Sequence, residues 1–243
     1  MSETLSPDDV ILHIANFGFD VFPPIEIPSE RTRLNMFFEH ARDAWPELYQ
    51  ELSISDVDFK VAARFKKIPF ETLVLTNRGP VFRFPIVLPP PVEATNLEGT
   101  YMRLFDDVRR GFFQSVVGRK IIRLGLIREL IFGTGGTLPA GLLRGPEEFS
   151  GAKLVGGNAL LEYRDQKCNV RVQLAPVQVT KTTQLPVGQM VTEPAGFGLR
   201  VVLDVNNIEL RQLTEDDIQE VLDRACSLWP AELLGYLRER GVS

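Results

Sequence analysis

A one-by-one alternation of apolar and polar side chains over residues 57–66 constrains the fold most. A period of two predicts a β-strand with one face in a core and the other face in water. Antiparallel sheets show this pattern because only one of their faces has to be covered. The apolar positions are Val57, Phe59, Val61, Ala63 and Phe65, and they alternate with Asp58, Lys60, Ala62, Arg64 and Lys66.

Turn signals extend this strand into a sheet built mainly of hairpins. Asn77-Arg78-Gly79-Pro80 lies between apolar runs at 72–76 and 81–87, which predicts one hairpin. A second hairpin is predicted for 160–164 and 170–174, around Asp165-Gln166-Lys167. Because hairpins dominate, we expect the sheet to be mainly antiparallel.

Other segments predict further strands and one irregular region. Strands are expected over 10–22, 121–132 and 197–205, where apolar residues cluster. The proline-containing segment 176–196 is predicted as a loop or a weak edge hairpin.

Apolar residues at steps of three and four predict three long amphipathic helices. They begin near Ser29, near Asn96 and at Thr214, where Thr214 and Asp217 resemble a capping box. The first and third run into Trp45-Pro46 and Trp229-Pro230, and proline breaks or kinks a helix because it lacks a donor. Helical pieces are expected to restart beyond each proline, through Leu52 and over 231–240.

These elements predict an α+β fold, with a mainly antiparallel sheet and three long amphipathic helices packed on one face. A single domain is expected over 1–243, with a subdivision near the glycine-rich residues 133–150 as the alternative. The repeated tryptophan-proline pair suggests an internal duplication of two related units.

Composition indicates an ordinary globular protein. Apolar residues make up 44% of the chain, charged residues 24%, and the net charge is −5. Cys168 and Cys226 lie far apart, which favours free thiols over a disulfide framework or a zinc site. The acidic first nine residues do not resemble a secretory signal, and no apolar run predicts a membrane span. We therefore expect a cytoplasmic protein without a membrane partner.

The motifs of common catalytic sites are missing from the sequence. The two histidines, His13 and His40, have no partner at metal-ligand spacing, and neither GxSxG nor a P-loop occurs. The glycine-rich Gly133–Thr137 is interpreted as a flexible loop, with a phosphate cradle as the alternative. Asp204–Asn207 begins like a calcium loop, but its later positions do not fit, which favours a strand ending in an Asx turn. No cofactor and no metal site is predicted.

Basic residues are concentrated between positions 103 and 128. They predict either a solvated face or a patch for an anionic partner. Asp58-Phe59-Lys60 and Asp165-Gln166-Lys167 resemble triplets of metal-dependent nucleases, although a solvated strand and a turn explain them as well. The candidate binding residues of the patch are Arg109, Arg110, Arg119, Lys120 and Arg123.

The layout resembles a family of sporadically distributed bacterial proteins of about this length. The similarity rests on the helix ending at Trp45-Pro46, on Arg123-Leu124-Gly125-Leu126, and on a strand closing at Leu203-Asp204 before a terminal helix. In that family Arg-x-Gly-Leu usually continues as Arg-Tyr-x-Asn, whereas this chain has Ile127-Arg128-Glu129-Leu130. The family has no assigned activity, so the resemblance implies bacterial origin and no chemistry.

The sequence favours a non-catalytic, cytoplasmic protein-interaction module of adaptor, chaperone-like or immunity type. The expected partner is another protein or a second copy of the chain. The alternative is a nucleic-acid-binding protein that uses the basic residues, in its sharper form a metal-dependent nuclease.

Overall fold

A nine-stranded antiparallel sheet forms the frame of this protein in a computed structural model. The structure describes residues 6–46, 48–65, 68–87, 110, 119–133, 148–149, 152–153, 159–164, 168–184 and 190–239. The strands lie side by side in the order β2-β3-β4-β5-β1-β6-β11-β10-β9, so that β1 and β6 occupy the centre.

The strands of this sheet have the following bounds: β1 Val10–Phe22, β2 Glu51–Ile54, β3 Phe59–Phe65, β4 Ile68–Leu75, β5 Pro80–Val87, β6 Lys120–Gly133, β9 Ala159–Arg164, β10 Cys168–Gln184 and β11 Met190–Asn207. Two short strands, β7 (Glu148–Phe149) and β8 (Ala152–Lys153), form a separate two-stranded sheet.

Two long helices follow strands of the sheet. Helix α1 (Ile27–Ala44) follows β1, and helix α2 (Glu215–Ser227) follows β11. A kinked segment, Leu228–Glu232, joins α2 to the short helix α3 (Leu233–Glu239), and a 3-10 helix, Pro7–Asp9, precedes β1. Both long helices bury residues in a single core together with one face of the sheet.

The core follows one row of cross-strand partners that runs through all nine strands. Members of the row face each other directly, so their side chains lie on the same face. All are buried except Leu52 and Tyr163 at the two ends. From edge to edge the row consists of Leu52, Val61, Leu73, Phe82, Phe17, Leu126, Val205, Val170 and Tyr163.

The predicted fold class is wrong. Among the described residues, the helices longer than seven residues are α1 with 18 and α2 with 13, rather than three long helices. The sheet dominates because most long apolar segments pair as strands and share one covered face. The predicted helix over 96–116 lies outside the described residues apart from Arg110.

The two tryptophan-proline segments also differ, which removes the basis for an internal duplication. Helix α1 ends at Ala44, with Trp45 as its C-cap, and the chain then enters a turn and β2. At Trp229 the backbone is extended, with φ −122° and ψ 136°, and a helix resumes beyond it. The predicted breaks at both prolines are confirmed, but the helical restart through Leu52 is wrong, because Glu51–Ile54 pairs with β3.

Residues 176–184 and 190–196 pair as the far half of the β10–β11 hairpin, so for the described residues the hairpin alternative is the one found. The ladder of partners continues from Cys168↔Asn207 to Gln184↔Met190. It shifts register between Val179 and Thr180, next to Gly196, whose φ is +131°. This is a β-bulge at a glycine, which bends the hairpin without ending it.

His13 and Trp229 contact each other in or next to the core, and Asn207 joins the ends of two strands. His13 is buried and lies 3.4 Å from Arg128, with its Nε2 facing Nη1, while His40 is exposed. Trp229 packs edge-on against the His13 ring, with 5.6 Å between centroids. β11 ends at Asn207, as predicted, but Asn207 Oδ1 accepts from the Leu124 amide and its Nδ2 donates to the Glu209 carbonyl, so these contacts are not those of the predicted Asx turn. No helix of the described residues is long and apolar enough to cross a membrane.

Replacing Asn207 by Ala should destabilise the fold by about 1–3 kcal/mol, measured by urea unfolding. The Leu124 amide donates to Asn207 Oδ1 at 2.7 Å in a buried position, and the substitution leaves this donor without its acceptor. Asn169→Ala is the matched control, because Asn169 donates only to the side chain of Asn206, and should cost at most about 1 kcal/mol. Equal losses in the two variants would contradict this assignment.

His13 should make the folded protein less stable as the pH falls below 6.5. Burial, and then the positive charge of Arg128, lower the pKa of His13 from 6.5 to about 3. Between pH 6.5 and about 3 the unfolded chain binds a proton there and the folded chain does not, so acid favours unfolding. The expected slope reaches about 1.4 kcal/mol per pH unit. Urea titrations of His13→Gln should lack this slope, whereas the exposed-site variant His40→Gln should retain it.

Candidate binding trough on the distal face of the sheet

Two glycines face each other at the centre of the sheet, on the face away from α1 and α2, here called the distal face. Gly18 in β1 and Gly125 in β6 are direct cross-strand partners. On the next strands outward, Gly18 faces Val81 and Gly125 faces Asn206. Because two neighbouring positions carry no side chain, the distal face is recessed there, and we call this recess the glycine trough.

Neither glycine of the trough is required by its own surroundings. Among the described residues, a Cβ atom would meet nothing nearer than 3.4 Å at Gly18 and 3.5 Å at Gly125, and neither glycine has a left-handed φ. In contrast, a Cβ at Gly198 would lie 2.7 Å from the Phe132 carbonyl oxygen. A Cβ at Gly79 would lie 1.9 Å from that of Phe19. Glycine is therefore a packing necessity at 79 and 198, but it leaves unused space at 18 and 125.

Side chains four residues apart on the central strands form the two walls of the trough. Asn16 and Ile127 face each other on one side, and Asp20 and Arg123 on the other. A separation of four residues along a strand is about 13 Å, which leaves room for one extended chain. The cavity above the glycines has a volume of about 320 Å³.

A chain of amides leads from β10 to a carboxylate above the trough floor. Asn169 Nδ2 donates to Asn206 Oδ1 at 3.3 Å, and Asn206 Nδ2 donates to Asp204 Oδ1 at 3.1 Å. The same carboxylate oxygen of Asp204 lies 4.0 Å from the place where a Cβ of Gly125 would stand. Asp204 is thus oriented over the floor, where its carboxylate can accept a hydrogen bond from a bound group.

The opposite wall is held by the hairpin turn between β4 and β5. Gly79 allows this turn to pack on the end of β1, where the Val21 amide donates to the Arg78 carbonyl at 2.8 Å. The turn brings Arg78 Nη2 to 2.7 Å from Asp20 Oδ2. The Asp20 carboxylate is therefore paired with Arg78 rather than with Arg123, its cross-strand partner.

The trough suits recognition by side chains rather than by backbone pairing. Its floor strands, β1 and β6, are hydrogen-bonded on both edges. A ligand would therefore lie flat on the exposed peptide planes and bond to Asn16, Asp204 or Arg123. Val81 and Ile127, which are 40% and 38% exposed, add apolar contact. Hydrogen bonding and apolar contact are thus both available to an extended segment.

Of the residues predicted as an anionic-partner patch, Arg119, Lys120 and Arg123 have different surroundings. Arg119 is about nine-tenths buried, ion-paired with Glu30, and donates from Nε to the Pro23 carbonyl at 3.0 Å. It therefore fixes the β1–α1 connection. Lys120 is exposed at the start of β6, whereas Arg123 lines the trough. Arg110 is exposed and Arg109 lies outside the described residues, so joint action of the five remains a prediction.

The nuclease-like triplet at Asp58 is an exposed ion pair. Lys60 Nζ lies 3.1 Å from Asp58 Oδ2 and 4.0 Å from Glu71 Oε1. A hydrogen bond from Ser55, and then the contact with Lys60, lower the pKa of Asp58 below its usual value. Within the described ranges, no three His, Cys, Asp or Glu residues are grouped for a metal ion. The second triplet and most of the Gly133–Thr137 loop lie outside those ranges.

Sequence reasoning identified parts of the trough but not the trough itself. Gly125 and Arg123 both belong to the Arg-x-Gly-Leu segment, and a glycine inside a strand often marks a close approach by another chain. The pairing of Gly125 with Gly18 depends on strand register, which no local pattern displays.

The chain matches no protein-family model, no curated protein and no solved structure in the three comparisons made.

Gly125→Ala should stabilise the protein by about 0.5–1 kcal/mol, measured by urea unfolding, because alanine loses less backbone entropy than glycine in a strand. Gly198→Ala should instead destabilise by about 1–3 kcal/mol, because its Cβ meets the Phe132 carbonyl. A loss of stability in Gly125→Ala would show that glycine serves packing at this position too.

Proposed function

We propose that this protein is a non-catalytic, cytoplasmic interaction module that binds an extended segment of another protein in the glycine trough. The observation that carries the proposal is the pair Gly18 and Gly125 on adjoining central strands. Glycine within a strand costs about 0.5–1 kcal/mol relative to alanine. Neither glycine is required by φ or by contacts, so space for a bound chain accounts for both.

The chemistry of the walls favours a polypeptide over a nucleic acid. The trough is lined by two acids, Asp20 and Asp204, and by two bases, Arg78 and Arg123. Nucleic-acid sites need an excess of positive charge, because each phosphate contact replaces a counterion. A polypeptide offers amide groups to Asn16 and Asp204 and apolar side chains to Val81 and Ile127.

Three kinds of module share this proposal, and the breadth of binding separates them. A chaperone-like protein would bind many unrelated extended segments, whereas an adaptor or an immunity-type protein would bind one partner.

The test is selection of random linear peptides on the immobilised protein, followed by affinity measurements on variants. Selected peptides should lose at least about tenfold in affinity for Gly125→Val, because its side chain would fill the trough. Gly133→Val is the matched control, since Gly133 lies on the same strand, and among the described residues its Cβ would meet only Ile11, at 3.7 Å. It should bind peptides like the unchanged protein.

Unfolding midpoints of both valine variants must accompany these affinities. We expect Gly125→Val to be at least as stable as the unchanged chain while binding is lost. Failure to select any peptide, or equal affinity for both variants, would refute the proposal. Salt-dependent binding of a DNA or RNA oligonucleotide that is lost in Gly125→Val would support the nucleic-acid alternative instead.

A further inference from the structure

Arg123 differs from Arg83, Arg171 and Arg200 of the distal face in what its guanidinium contacts. Arg83 donates to Asn16 at 3.2 Å, Arg171 pairs with Glu162 at 2.8 Å, and Arg200 pairs with Glu129 at 2.7 Å. Within the part of the chain that the structure describes, Arg123 makes no hydrogen bond and no ion pair. It nevertheless lines the trough and is only partly exposed.

The acid that faces Arg123 is already neutralised. Asp20 is its cross-strand partner, but the Asp20 carboxylate is bound by Arg78 at 2.7 Å. One wall of the trough thus carries two guanidinium groups and one carboxylate, and the positive charge that remains is on Arg123. A negatively charged group of a ligand would neutralise Arg123.

Asp204 does not pair with Arg123 among the described residues. Its cross-strand partner on β6 is Ile127, and its Oδ1 accepts a hydrogen bond from Asn206. The Arg123 guanidinium is therefore left for a group that a ligand brings.

We propose that Arg123 binds the carboxylate of an aspartate or glutamate side chain in the middle of the bound segment. A guanidinium group suits this role because its parallel donors match both carboxylate oxygens. An internal residue of the ligand fits better than its terminus. The cross-strand partner of Asn206 on the distal face is Asn169, whose side chain is small, so the bound segment can extend further across the sheet. This inference rests on the proposed function, and it names the chemical feature that the trough selects.

The test compares peptides selected on the unchanged protein with copies in which each acidic residue is replaced by its amide. One glutamate-to-glutamine or aspartate-to-asparagine change should weaken binding to the unchanged protein about tenfold. Arg123→Gln should bind both peptides with the same, weaker affinity. Arg123→Lys should retain part of the preference, because lysine keeps the charge without the paired donors. C-terminally amidated peptides should bind as tightly as free acids.

Arg200→Gln is the matched control, since Arg200 lies on the distal face outside the trough and pairs with Glu129. It should keep the full acidic preference. Because the Arg123 side chain makes no hydrogen bond or ion pair with the described residues, Arg123→Gln should unfold at the same urea concentration as the unchanged protein.

The outcomes separate this inference from the proposed function. Peptides that bind in the trough, lose affinity in Gly125→Val and show no preference for an acid would overturn the role of Arg123 and leave the proposed function standing. A preference that follows the terminal carboxylate would also overturn it. If no peptide is selected at all, both proposals fail.

Discussion

The apolar row from Leu52 to Tyr163 is the contact on which the rest of the structure depends. It crosses nine strands in one register, and its buried members place the same face of every strand under the helices. A slip of one residue in any strand would turn that strand's apolar side chains to the other face. The row therefore fixes the register of the whole sheet, and with it the position of every residue on the distal face.

The glycine trough follows from that register. On β1 the row contains Phe17 and on β6 it contains Leu126, and each has a glycine as its immediate neighbour on the distal face. Because the two strands are antiparallel, the following residue of one faces the preceding residue of the other, so Gly18 meets Gly125. The burial of Phe17 and Leu126 thus holds the two glycines together, although neither glycine contributes to the core.

Local sequence patterns predicted strands better than they predicted helices or the site. The alternation around Val61 and the turn at Gly79 were sufficient, because each reflects a short-range constraint. Residues 51–54 were wrongly assigned to a helical restart, because pairing with β3 outweighs their local preference. Arg119 and Arg123 looked alike in sequence. Only the fold shows that Glu30 binds the first and that the second faces the trough.

The proposed binding site would be made by omitting side chains, and such a site carries no motif. Many metal and phosphate sites use reactive groups at fixed spacing, which leaves a signature in sequence. A recess needs small residues at two positions that are distant in sequence and joined by register. In this proposal, the stability cost of glycine at positions 18 and 125 is the physical trace of the site. Substitutions that strengthen the sheet at Gly18 or Gly125 should therefore be those that weaken binding.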